Sequence, residues 1–154
     1  MKPVLQALLV ADRVYEDRAT GKRIVAGIFD KLSFQKIAQP DPENVNEPIG
    51  QTRHLLGGGN PGSPYAYISL TAIHGKQRFV VRYVYLNEDR VLFQTGFQVE
   101  SPSPLETAQI VLPLPTLPII GAGAYALELL CDDDDPIGSF RILVEELIGP
   151  TDHD

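Results

Sequence analysis

YAYISLTAIHGKQRFVVRYVYLNEDRVLFQTGFQVE, residues 65 to 100, alternates apolar and polar side chains through three successive runs. A strand turns consecutive side chains to opposite faces, so this alternation predicts half-buried β-strands; a helix would space its apolar residues three and four apart. In the first run Ala66, Ile68, Leu70 and Ala72 share one face, and Tyr65, Tyr67, Ser69 and Thr71 share the other. In the second, Phe79, Val81, Tyr83 and Tyr85 oppose Arg78, Val80, Arg82 and Val84, with a turn expected at Gly75 and Lys76. The third sends Val91, Phe93, Thr95, Phe97 and Val99 inward. The expected arrangement is an antiparallel meander with one wet face. If the first two strands pair, Tyr65, Tyr67, Tyr83 and Tyr85 form a stripe, although core packing with the hydroxyls at the rim is the plainer reading.

Outward from this stretch the same period persists. LQALLVADRVYED and KRIVAGIFDKLSFQK flank a turn at Ala19, Thr20 and Gly21 and read as one long hairpin. Its first strand is apolar on both sides, with Leu5, Ala7, Leu9 and Ala11 against Val4, Leu8, Val10 and Val14. Such a strand is either central and covered twice or part of a contact between subunits. A further strand beginning near Leu105 meets Pro113, Pro115 and Pro118. Proline cannot donate to a ladder, so this strand belongs at an edge and should pass into an extended crossover. The final hairpin turns Tyr125, Leu127, Leu129 and Cys131, then Phe140, Ile142 and Val144, toward the interior. Short strands, frequent turn signals and no helical pattern predict an all-β fold, a two-sheet antiparallel sandwich of about seven to nine strands.

The expected organisation is one domain over residues 1 to 148, with a frayed tail at 149 to 154. Residues 38 to 63, with four prolines and five glycines and no periodicity, read as a long loop. Unstructured connections above about 15 residues are uncommon in compact domains unless they carry function or are disordered. The net charge of −7, with thirteen scattered basic residues, argues against a nucleic-acid footprint. No apolar run approaches the roughly 20 residues of a membrane span, so no membrane association is expected. A single cysteine gives no sign of an oxidising compartment, and a cytoplasmic location is the default expectation.

The four aspartates Asp132 to Asp135 raise the question of a metal. Calcium gathers six to eight oxygens, usually from spaced acids or separate loops, whereas adjacent acids in a turn point apart. Asp132 and Asp134 could at most share an ion weakly; a solvated turn completed by Pro136 and Gly138 is the expected reading. His54, His74 and His153 lack metal-ligand spacing. LLGGGNPGSP lacks the lysine and following helix of a phosphate cradle, and Cys131 reads as a buried, inert thiol. The most plausible ligand contacts are Arg53 and His54, a cationic fork beside an imidazole, together with Tyr65 and Tyr67. No catalytic residues can be named, and no cofactor is expected.

Two segments carry a resemblance. ADRVYEDRATGKRIVAGIFDKL, residues 11 to 32, resembles the opening of an uncharacterised family of small bacterial proteins in its Asp12-x-Val14 pair, its Thr20-Gly21-Lys22 tip and its Gly27-x-Phe29-Asp30 strand. GAYALELLCDDDDPIGSFRILVEE is similar to the same family's final hairpin, a pattern also found in many immunoglobulin-like sandwiches. The resemblance implies an immunoglobulin-like sandwich and supplies no activity. The resulting expectation is a non-enzymatic module that acts through protein contacts or self-association. The alternative is a small-ligand or cation-binding module using the 38 to 63 loop, and an enzyme comes third.

Overall fold

The computed structural model describes residues 2 to 36, 53 to 132 and 134 to 148, apart from the side chains of residues 36, 53 to 56 and 148. These residues contain no helix. Ten strands form: β1 (Val4–Glu16), β2 (Arg23–Ile28), β3 (Lys31–Lys36), β4 (Arg53–Gly57), β5 (Tyr65–Thr71), β6 (Gly75–Tyr85), β7 (Arg90–Ser101), β8 (Ala108–Pro113), β9 (Gly123–Cys131) and β10 (Asp135–Ile148). They make two sheets, one of four strands in the order β2-β1-β5-β8 and one of six in the order β4-β3-β10-β9-β6-β7. The larger sheet is strongly curled.

The alternation read from residues 65 to 85 decides the core. Ala66, Ile68 and Leu70 from the small sheet meet Phe79, Val81 and Tyr83 from the large one, and all six are fully buried. Leu127, Leu129, Ile142, Val144 and Leu32 complete the layer. Phe79 stacks on Phe97 at 5.5 Å, while Tyr83 lies between Phe93 at 5.2 Å and Tyr125 at 5.5 Å.

Four expectations are corrected. First, residues 65 to 100 do not form one meander, because β5 and β6 belong to opposite sheets. Ala72, at a left-handed φ of 59°, turns the chain between them, and its N–H donates to the Pro104 carbonyl. Apolar alternation serves a sandwich strand equally well in either sheet, so it did not reveal the crossing. The tyrosine stripe fails for the same reason: Tyr65 and Tyr67 face outward from the small sheet, and Tyr83 and Tyr85 face the core from the large one.

Second, KRIVAGIFDKLSFQK is two strands, not one. β2 pairs antiparallel with β1, after which Phe29 buries its ring and the chain crosses to the other sheet as β3. Third, the ladders are not all antiparallel, since β3 runs parallel to β10, with Lys31 opposite Leu143 and Ile148 opposite Lys36. Fourth, ten strands exceed the seven to nine expected, one of the additions being β4 inside the stretch read as a loop. β4 pairs with β3 through Phe34 opposite Leu55; residues 37 to 52 of that stretch lie outside the described residues, as does the 149 to 154 tail. By contrast, β8 does sit at an edge and leads from Pro113 into an extended crossover that buries Leu114 and Leu117.

Candidate functional site

The two outer faces of the sandwich differ in chemistry. On the large sheet, outward positions carry many charges: Lys31 pairs with Glu145 at 3.3 Å, Arg82 lies 3.8 Å from Asp134, and Arg78, Glu128 and Arg141 occupy further outward sites, with Leu143 and Leu147 exposed among them. The long stems of such side chains cover the apolar residues between them; Val84, Ala126 and Leu130 are outward-facing yet buried.

The small sheet shows the opposite. Leu8 and Val10 of β1 point into the core, so Leu9, Ala11, Arg13 and Tyr15 point out. A bulge between Leu5 and Ala7 shifts the phase, which turns Leu5 inward and Val4 outward. The ladder then brings outward residues into rows. Ile28, Ala11, Tyr65 and Pro113 form one row, Leu9, Tyr67 and Val111 the next, and Tyr15 stands opposite Ile24. Tyr15 is 54% exposed, Ile24 and Ile28 are each 52% exposed and Val4 is 49% exposed. Among the described outward-facing residues of these four strands only Arg13 is charged.

A contiguous apolar face of this kind is uncommon on a monomer and marks an interaction site more often than isolated exposed residues do. Covering a half-exposed Ile or Tyr is worth on the order of 1 kcal/mol per side chain. The face therefore combines a driving force for association with a β-sheet scaffold that holds its rows in place.

The residues expected to bind a ligand are divided between sheets. Tyr65 and Tyr67 sit in the middle of the apolar face, half-buried. Arg53 and His54 lie on β4 at the edge of the other sheet, opposite Lys36 and Gln35, and their side chains lie outside the described residues.

The acidic segment is a tight turn, with Asp134 at a left-handed φ of 61°. Its described carboxylates turn to separate partners: Asp132 accepts from Gln77 Nε2 at 3.4 Å, Asp134 faces the Arg82 guanidinium, and Asp135 pairs with Lys2 Nζ at 3.1 Å. A cation held between Asp132 and Asp134 would sit beside the positive charge of Arg82. No cluster of three or more His, Cys, Asp or Glu suited to a metal occurs among the described residues. The turn borders an open groove of about 540 Å³ that includes Arg78, Val80 and Leu130. Cys131 is buried; desolvation, helped by Asp135 and Asp132, raises its thiol above the ordinary range, which keeps it protonated and poorly nucleophilic.

Sequence reasoning singled out β1 as doubly apolar and missed that β2 extends the same surface. The signal was present in RIVAGI, where Ile24, Ala26 and Ile28 alternate, but which side they face depends on the β1 register. No protein-family model matches the chain, and no curated protein is similar to it.

Proposed function

We propose that this chain is a non-catalytic, immunoglobulin-like sandwich that works by protein contact through the outer face of its four-stranded sheet. The observation that carries this reading is the asymmetry in charge between the two outer faces: one bears Lys31, Arg78, Arg82, Glu128, Arg141 and Glu145, while the other carries Arg13 as its one described charge and sets the neutral polar Ser69, Thr71 and Gln109 beside its apolar residues. A solvated sheet face normally bears polar residues at alternate positions. Here Tyr15, Ile24 and Ile28 occupy those positions at half exposure.

Two features support the immunoglobulin-like form. The order β1-β5-β8 matches strands A, B and E of that architecture, and β10-β9-β6-β7 matches G, F, C and C′. Tyr125, near the start of β9, accepts hydrogen bonds from Ile120 N–H at 3.0 Å and Gly121 N–H at 3.1 Å, and its hydroxyl donates to Gly121 O at 2.6 Å. This is the arrangement of a tyrosine corner, in which the hydroxyl ties the strand to the crossover before it.

The test is photo-crosslinking in cells, with a photoreactive residue introduced at Tyr15 or at Gln98 on the opposite face. The contact reading expects a discrete protein adduct from position 15 and none from position 98. No adduct at position 15, or equal labelling at both positions, would overturn it.

A further inference from the structure

We infer that the partner on this face is a second copy of the chain, packed face to face about a two-fold axis; this rests on the contact reading above.

Charge is the first argument. Two chains each carrying −7 repel one another over most of their surface. The patch on which they can meet without opposing charge is a neutral one, and the outer face of the small sheet is neutral except for Arg13. A strongly basic partner would be recognised instead by acidic groups at the contact, and the described outward positions of these four strands hold none.

Relief is the second argument. An isologous interface sets a patch against itself, so the patch must hold both projections and the hollows to receive them. The outward row of Ala7 and Ser69 holds small side chains, and the adjacent row of Leu9, Tyr67 and Val111 holds large ones. A two-fold rotation sets the ridge of one copy, Leu9 and Tyr67, over the low row of Ala7 and Ser69 in the other.

Size is the third. At about 3.3 Å per residue the thirteen residues of β1 run roughly 40 Å, and two to three strands at about 4.8 Å spacing make the face some 15 Å wide. The plan area is therefore near 600 Å² before side-chain relief is added, close to the ~800 Å² that each side of a standard interface contributes.

Sedimentation velocity tests the inference. The expected wild-type species has about twice the 16.9 kDa mass of the chain. Ile24→Lys combined with Ile28→Lys should raise the dimer dissociation constant by on the order of 100-fold, because it desolvates like charges across the axis. Gln94→Lys combined with Gln98→Lys, on the other face, should leave the dimer intact. Circular dichroism checks that each variant folds; should the first pair not fold, Tyr15→Glu, at a half-exposed site, carries the same test. A wild-type monomer at the highest soluble concentration, a dimer that survives the small-sheet substitutions, or one lost on the control substitutions would overturn the inference. If the wild type is monomeric while position 15 still crosslinks to a protein of different mass, self-association fails and the contact reading stands. If position 15 crosslinks to nothing, both fail.

Discussion

Tyr83 and Tyr125 stack in the core at 5.5 Å, but their hydroxyls meet different surroundings. That of Tyr125 takes part in three hydrogen bonds with the backbone of Ile120 and Gly121, whereas that of Tyr83 is buried without a partner among the described residues. One substitution should therefore act with opposite signs at the two sites. Tyr125→Phe is expected to cost about 2 kcal/mol, since it strands buried backbone groups, and Tyr83→Phe to stabilise by about 1 kcal/mol, since it removes an unmet polar group. Urea denaturation midpoints measure both. Burial, and secondarily Tyr125, push the Tyr83 phenol far above its ordinary value of 10.0. An acid whose folded pKa is raised adds stability that is present below its unfolded pKa and lost as the pH climbs toward the folded value. Wild-type stability should thus fall above about pH 10, and Tyr83→Phe should flatten that decline. The inward position of Tyr83 and Tyr125 was legible in the alternation of their strands; the fate of each hydroxyl was not, because it depends on crossover backbone that Tyr125 reaches and Tyr83 does not.

At the scale of the element, the segment from β1 to β3 is organised around Asp12. Its carboxylate accepts a 2.6 Å hydrogen bond from the Asn60 N–H and lies over Gly27, where a Cβ would collide with it. Next to Asn60, Gly59 lies directly against the Phe29 ring at the point where the chain changes sheets. Gly59→Ala should destabilise by about 1 to 3 kcal/mol through overpacking, seen as a lower thermal midpoint. At the β1–β2 turn, Thr20 Oγ1 donates to Asp17 at 2.6 Å, and this bond, with one from the Ala19 N–H, lowers the Asp17 pKa below 3.8. A carboxylate whose folded pKa is depressed contributes stability that is present above the unfolded value and is lost as the pH falls through the folded one. Thr20→Val should move the Asp17 titration, followed by NMR, up toward 3.8. The turn at Thr20 and Gly21 was readable from composition. The crossing at Phe29 was not, because Ile24, Ala26 and Ile28 before it and Leu32 and Phe34 after it keep one phase, interrupted only by Asp30, while the burial of Phe29 and the close approach of Gly59 mark the break in the structure.

For the molecule as a whole, periodicity was enough to predict two layers and the inward residues of β5, β6, β9 and β10, because a buried face imposes its own alternation. It could not predict which outer face would be wet, since that depends on which strands become neighbours. Arg82 lies beside Glu128 only once β6 pairs with β9, and Ile28 joins Tyr65 only through Ala11. If the apolar face is covered by a second copy, the apparent thermal midpoint should rise with protein concentration, as mass action requires of any associating fold. The variant with Ile24→Lys and Ile28→Lys should show a midpoint independent of concentration, measured by calorimetry across a dilution series.

The parallel ladder between β3 and β10 bears on how the molecule is made. Lys31 cannot find Leu143 until the last of the ten strands has been synthesised, and β10 lies between β3 and β9. β3 and β4 can therefore join the rest of the large sheet only after β10 is in place, through a contact between segments more than a hundred residues apart in the chain. Such a late, long-range closure slows assembly of the large sheet and leaves the edge of β3 open until it is complete.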